Sequence, residues 1–477
     1  MLDKMADACV RYVIQHFLSR IHREVFMQTD SNFTHGRILA PLLRFAIPVL
    51  GALILQAMYG AVDLLVVGQF AASTDVSAVS TGSQLMHTIT FVVVGLSMGT
   101  TILLGNCIGA GERERAGDII GTAICLFGLL GLIITIAVPL AARPLCRLMQ
   151  APNEAFGQTV AYVSICAGGA LFIVAYNVLG SVFRGLGDSR TPLMAVVIAC
   201  VVNIAGDLLF VAGFHMGAAG AALATALAQA VSVVLCFLVI RRHGLPFPFG
   251  RRCVRLQGSI ALRTLRLGAP LALQDLLVSI SFLVILAIVN GLGLIASAGI
   301  GVAEKLCAFI MLVPSAFSQS LSAFVAQNMG AGEPGRARRA MLYGMGASLL
   351  LGVIMAWAAY FHGDLLGGIF SRDTAVVAAG ADYLRAYAID TLLVSFLFCF
   401  IGYFNGCGRT TFVMLQGLAG AFGARIPFSW LMSRQANPSL FRIGLATPCS
   451  TVVQILLCAL YFVALLRQER KSLAREQ

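Results

Sequence analysis

The sequence predicts an all-α polytopic membrane protein, with twelve transmembrane helices in two parallel, pseudo-symmetric six-helix lobes. Three observations lead there. Hydrophobic residues make up 59% of the chain and charged residues 11%, where a soluble globular chain carries about 25% charge. Twelve apolar stretches lie near or above the ~20 residues that cross a bilayer as a helix: 39–67, 77–105, 119–141, 158–183, 191–213, 217–240, 266–292, 296–326, 340–361, 379–405, 411–432 and 443–466. Landmarks of the first half recur in the second at a nearly constant offset. The short alternating segments of a membrane barrel are absent.

Residues 1–38 read as a cytoplasmic amphipathic arm. Val10, Val13, Ile14, Phe17, Leu18 and Ile21 fall on one helical stripe, with Arg11, His16, Ser19 and Arg20 opposite, which suits a helix lying in the membrane interface. Translation starting at Met27 is the competing reading. The first six-helix lobe is expected over 39–240, a basic cytoplasmic linker over 241–265, the second lobe over 266–466 and a cytoplasmic tail over 467–477.

The formal charge of +12 is explained by the bilayer, not by nucleic acid. Lys and Arg gather in alternate loops, as the positive-inside rule requires. Arg241, Arg242, Arg251, Arg252, Arg255 and Arg263 follow the sixth span, and Arg113, Arg115, Arg184, Arg190, Arg336, Arg338, Arg339 and Arg409 fall in other even-numbered loops. Both termini are therefore expected in the cytoplasm, with the chain a multi-pass protein of the plasma (inner) membrane. The 13 cysteines are scattered, mostly within spans, and show no metal-ligand spacing.

Gly109-Ala110-Gly111-Glu112 recurs as Gly330-Ala331-Gly332-Glu333, and Phe183-Arg184-Gly185-Leu186-Gly187 as Phe404-Asn405-Gly406-Cys407-Gly408, both 221 positions on. Arg44 to Pro48 recurs as Arg266 to Pro270, 222 on. Six spans per half is an even number, so both halves enter the membrane from the same side and the repeat is parallel. The glycines sit where spans meet cytoplasmic loops, where a helix stop with positive φ explains them without a ligand.

Two acids stand inside apolar stretches: Asp63 late in the first, and Asp207 in the fifth with Asn203 one turn before it. An ionisable group there is costly and is a functional candidate by default. The competing readings are an interfacial acid at a span end for Asp63 and a structural acid satisfied by Asn203 for Asp207. Gln56, Tyr59 and Asp63 are spaced to share one helix face. Pro48 removes a backbone hydrogen bond and kinks the first span, either statically or as a bend that follows the charge of Asp63. Arg425 and Lys305 lie within the eleventh and eighth spans, where structural pairing is the simpler role. His87 is alone in the second span and reads as a packing residue.

Tyr59-x-x-x-Asp63-x-x-x-x-Gly68, Arg184-Gly-x-Gly-Asp188-x-x-x-Pro192 and Gln327-Asn328-x-Gly330-Ala331-Gly332 resemble the MATE family of multidrug and toxic compound extrusion transporters, over residues 37 to 466. The resemblance is to the DinF-like branch, with its acid late in the first span and its Asn-x-x-x-Asp pair in the fifth. It implies polar site positions at Gln56, Tyr59, Asn177 and Thr225. Val278 stands where the NorM-like branch has a glutamate, and Asp390 sits about a turn early. Counting helical rise, Asp63, Asp207 and Thr225 come to the outer half of the membrane, and Asn177 lies deeper.

The resemblance implies a secondary multidrug exporter of amphipathic organic cations by antiport with protons or sodium. Asp63, Asp207, Asn203 and Thr225 would couple the ion, and Gln56, Tyr59 and Asn177 would line the substrate cavity. Oxygens of those four coupling residues suit sodium as well as protons. No cofactor or metal is implied, and a monomer is expected. The alternative is a lipid-precursor flippase of the same architecture, which needs a basic cavity for phosphate. Apart from Arg44 at their entrance, the first-half spans offer acids and amides. An enzyme is not indicated, because no nucleophile–base pair or metal cluster shares a face.

Overall fold

The computed structural model describes residues 33–435 and 438–476. The stripe over 10–21 and the arm up to residue 32 lie outside the described residues. Among those described there is no strand.

The first half folds as α1 (Leu39–Phe70), α2 (Ser73–Gly109), α3 (Arg113–Leu140), the short α4 (Ala142–Leu148), α5 (Phe156–Gly168), α6 (Ala170–Leu186), α7 (Arg190–Asp207), which continues through a π turn at Leu208–Gly213, and α8 (Gly217–His243). The second half gives α9 (Gly258–Asn290), α10 (Leu294–Ile310), α11 (Leu312–Gly330), α12 (Pro334–Phe361), the short α13 (Gly363–Gly368) and α14 (Thr374–Gly406). Then α15 (Thr410–Gly420) runs through a π turn (Ala421–Arg425) into α16 (Ile426–Ser433), followed by α17 (Leu440–Gly444) and α18 (Ala446–Glu476).

Among the described residues, ten helical runs are long and apolar enough to span a membrane, and α5 with α6, bent by 50° at their junction, make an eleventh. The run from α15 to α16 is the twelfth. Gln416 and Arg425 dilute its apolarity, which is why it falls short of the others by composition. α1 is helical straight through Pro48, and α9 through Pro270.

The repeat is visible in the element boundaries. Both ends of α2 have their counterparts 221 positions on in the α10–α11 run, and both ends of α3 have theirs in α12. Gly111 and Gly332 take φ of +75° and +74°, and Gly187 and Gly408 take +86° and +72°, so these glycines close helices in a left-handed conformation as their positions suggest. Just past Gly187, Asp188 accepts from the amides of Arg190 (2.9 Å) and Thr191 (3.1 Å) and starts α7. Asp75, at the head of α2, accepts from the Ala218 amide (2.9 Å) and fixes the start of α8.

α9 begins at Gly258, inside the stretch read as linker. Its first turns are amphipathic and too polar to register as a span, but Ile260 packs with Ile119 and Ile120 of α3. The connection proper lies between His243 and Gly258, with a single 3-10 turn at Arg251–Cys253.

The two lobes meet along α2, which packs on α9 and α11, and along α1, which packs on α11. Close approaches fall toward the end that carries the Gly-Ala-Gly-Glu loops. A Cβ on Gly95 would lie 2.6 Å from the Cα of Ala272, and one on Gly105 2.9 Å from the Cβ of Ala326. A Cβ on Gly109 would overlap the carbonyl of Gln327, and one on Gly330 the carbonyl of Asn106. Gln327 Nε2 donates to the Gly185 carbonyl across the seam (2.9 Å). Phe33, just before α1, is buried with its ring centroid 4.8 Å from Phe324 and 5.3 Å from Phe45.

Arg336 closes the same end. The sequence places it in a loop, but it is 6% exposed and turns inward from the first turn of α12. Its guanidinium donates to the carbonyls of Phe33 (2.7 Å), Gly36 (2.6 Å), His35 (2.8 Å) and Arg37 (3.1 Å). A planar fork of donors is suited to such a cluster of acceptors. One side chain of the second lobe thus holds the lead-in to the first.

Candidate functional site: an acid cluster in the N-terminal lobe

α1, α7 and α8 pack against one another, because each offers small residues and one polar stripe. Asp63 lies on the buried side of α1 and is 4% exposed; Asn203 and Asp207 on α7 are fully buried. Thr225 Oγ1 of α8 donates to Asp63 Oδ2 at 3.2 Å, and the Tyr59 hydroxyl donates to the Thr225 carbonyl at 3.3 Å. Asp207 and Asn203 stand around the Asp63 carboxyl within interaction range. Both oxygens of Asp207, Oδ1 of Asp63 and both polar atoms of the Asn203 amide lack a regular hydrogen-bond partner.

Buried polar atoms in folded proteins are nearly always satisfied. Here five unmet atoms converge from two helices. Two carboxyls this close repel unless a proton or a cation lies between them. The described residues place no ion-pairing base on either acid. The cluster is therefore equipped to take up and release a proton or a small cation.

The structure brings four of the expected coupling residues together, Asp63, Asp207, Asn203 and Thr225, and adds Tyr59. It leaves two expected cavity residues apart. Gln56 is exposed on α1 near Tyr176 of α6, and Asn177 donates to the Ile173 carbonyl of its own helix (2.8 Å). Two neighbours of the cluster carry no signal in the sequence. Tyr162 of α5 packs over Gly82 of α2 within electrostatic range of Asp63 and Tyr59, and Cys166 beside it donates to the Ala222 carbonyl (3.8 Å). His87 packs over Gly60 of α1, where a Cβ would lie 3.7 Å from its Nε2.

The C-terminal lobe carries buried charges of its own. Asp390 on α14 accepts from the Thr451 hydroxyl (2.6 Å). Arg425 is 6% exposed and donates to Ser281 Oγ (3.1 Å), with its Cζ 4.4 Å from the centroid of the Phe282 ring. Asp390 and Arg425 face each other without forming an ion pair within 4.0 Å. Lys305 is exposed, with its ammonium 5.7 Å from the Phe370 ring. Arg184, expected in a loop, belongs to the last turn of α6 and donates back to Ser181 Oγ (2.9 Å).

The MatE family model matches the chain twice, over residues 48–209 and 270–431. Among curated proteins, the chain is 23% identical to the probable multidrug resistance protein YoeA of Bacillus subtilis over 88% of its own length and 92% of that protein. It is 27% identical to the probable multidrug resistance protein YpnP of the same organism, over 84% and 90%. Among solved structures, an outward-facing conformation of a multidrug resistance MATE family transporter of the MOP superfamily superposes with a TM-score of 0.86 at 20% identity, covering 92% of this chain and 98% of that one. One family match falls in each half of the chain, and the fold is that of the solved transporters. The chain belongs to the MatE family, the multidrug and toxic compound extrusion transporters, and is a multi-pass membrane transporter, not an enzyme.

Proposed function

We propose that the chain exports amphipathic organic cations by antiport with protons or sodium, and that the coupling ion binds at Asp63, Asp207, Asn203 and Thr225. The observation that carries this is the pairing of two buried carboxyls with unmet oxygens and no contacting base. Four oxygen-bearing side chains from three helices suit a hard cation, and the two acids alone suit a proton. The multidrug resistance names of the relatives support the substrate class.

In this reading the basic loops and both termini face the cytoplasm, in the plasma membrane, and the chain works as a monomer of the DinF-like branch. The seam made by the glycines, Gln327 and Arg336 then closes the cytoplasmic end, which corresponds to an outward-facing state. Tyr59, Gln56 and Asn177 line the cavity that takes the organic cation, and Pro48 lets the inner part of α1 bend as the acids change charge. An ion that neutralises the acids removes their attraction for the drug, so the two ligands displace each other. The flippase reading has less support. Of the buried bases, Arg336 is spent on four backbone carbonyls and Arg425 stands alone in the second lobe.

The experiment is efflux of a fluorescent organic cation from proteoliposomes, with pH and sodium gradients imposed separately. One gradient should drive export, and Asp63→Asn should abolish it while leaving expression and membrane insertion intact. Gradient-driven export by that variant at the wild-type rate would overturn the assignment.

A further inference from the structure

The repeat is broken at one place on the seam. In the first lobe the Phe33 ring fills a niche between α1, α11 and the turn before α7. Its centroid lies 5.3 Å from that of Phe45 and 4.8 Å from that of Phe324, and its edge lies 3.4 Å from where a Cβ on Gly187 would stand. Counted on by 222 and 221 positions, Phe45 and Gly187 correspond to Leu267 and Gly408, and Phe324 counts back by 221 to Leu103. These three also come together. All line one cavity, and Cδ2 of Leu267 lies 3.7 Å from the Cβ position of Gly408. Here no ring enters. The place of Phe33 falls on Arg255, which is held against α3: its carbonyl accepts from Thr122 (3.2 Å) and its guanidinium lies 3.6 Å from Asp118. The result is a cavity of about 260 Å³ between α2, α9 and the start of α15.

The charge around the niche is reversed as well. In the first lobe Asp188 accepts from two amides at the start of α7. Arg409 stands 221 positions on, and its side chain caps no amide of α15. Arg263 and Arg266, a turn apart on α9, line the cavity with Thr410 and Thr411. Among the described residues neither guanidinium makes an ion pair. A helix start without its carboxylate, beside two guanidiniums, suits a phosphate. Apolar surface continues outward from it. Leu262, one turn before Arg266, and Leu415, one turn after Thr411, are each 56% exposed. A basic pocket between membrane helices is the form that lipid-headgroup sites take.

We propose that this niche binds the phosphate of an anionic phospholipid. Arg263 and Arg266 supply the charge, the open amides of α15 donate to the phosphate oxygens, and the acyl chains lie over Leu262 and Leu415. Leu103 comes from the first lobe and the other lining residues from the second, so the headgroup touches both. The site goes beyond the export reading and uses no property of Asp63 or Asp207, so it stands or falls separately.

The test is native mass spectrometry of the full-length protein from neutral detergent, titrated with dioleoylphosphatidylglycerol and separately with dioleoylphosphatidylcholine, and then with inorganic phosphate as competitor. One phosphatidylglycerol per chain should bind at least about tenfold more tightly than phosphatidylcholine, the scale of one charge-assisted partner. Arg263→Gln combined with Arg266→Gln should remove that preference. Leu103→Trp fills the niche while keeping both guanidiniums, and should weaken the first phosphatidylglycerol several-fold. Arg241→Gln combined with Arg242→Gln, the same charge change outside the niche, should leave binding as it was. Equal affinity for the two lipids overturns the proposal, as does a preference that survives in the Arg263 and Arg266 double variant. Inorganic phosphate displacing the lipid at equal concentration would make the ligand a free anion and overturns the lipid assignment. Unchanged affinity in Leu103→Trp would put the lipid on the arginine surface outside the niche, and overturns the proposal even if the double variant does not fold.

Discussion

Between α1, α7 and α8, the first lobe places Asp63, Asn203, Asp207 and Thr225. Counted on by 222 positions, the offset between the two family matches, the second lobe has Ile285, Arg425, Ser429 and Thr447. The backbone framework of the two is the same down to the prolines at 48 and 270 and the left-handed glycines at 111 and 332. What differs is charge. A helical membrane lobe satisfies its backbone internally, so its interior side chains are free to change sign without disturbing the scaffold. Function in such a lobe is written in a handful of interior positions, while the repeated motifs at the loop ends report only the fold.

The comparison can be broken most directly by matched substitutions. Asp207→Asn should lower gradient-driven export by about a hundredfold or more, the scale of breaking a buried charge arrangement, whereas Asp390→Asn should keep it within about threefold. Transport rates in proteoliposomes decide this, and equal losses would show that both lobes carry the coupling ion.

A smaller effect sharpens the comparison through pH. In the proposed mechanism protons and the organic cation compete for the same N-lobe carboxyls, so that cation binding would release protons. Affinity in detergent should therefore fall as pH is lowered, by up to about tenfold per pH unit when one proton is exchanged. Asp207→Asn should flatten the dependence. Affinity that ignores both pH and sodium, with both acids present, would leave the acids a purely structural role.

The smallest expected difference separates two threonines at the same place in their lobes. Thr225→Val removes one hydrogen bond to Asp63, worth about 1 kcal/mol, and should shift the ion dependence of transport about fivefold. Thr447→Val should leave that dependence where it was. Ion titrations of the transport rate distinguish the two outcomes.

The sequence discloses one kind of site residue and conceals another. Asp63, Asn203 and Asp207 are legible because an acid or amide in an apolar stretch has no cheap explanation. Thr225 and Tyr59 are common in spans and gain meaning only from their spacing or from the family pattern. Tyr162 and Cys166 look like ordinary core, and nothing short of the packing of α5 against α2 and α8 brings them to the acids. Arginines misled most. Arg184 and Arg336 mark span ends by charge, yet their long side chains turn back into the protein. A hydropathy window cannot say which way an arginine points, and it hides the first turns of α9 for the same reason.

Asn106 and Gln327 are themselves 221 positions apart. The approach of Gly109 to Gln327 and that of Gly330 to Asn106 are consequently one contact made twice. This is the isologous arrangement of a symmetric dimer, set here between the halves of a single polypeptide. Any rocking of the halves across that axis loads both contacts alike, so the joint behaves as a bolt with two identical catches. The clamp of Arg336 on the carbonyls of residues 33–37 has no such twin; it gives an otherwise even-handed joint one side that must let go on its own terms.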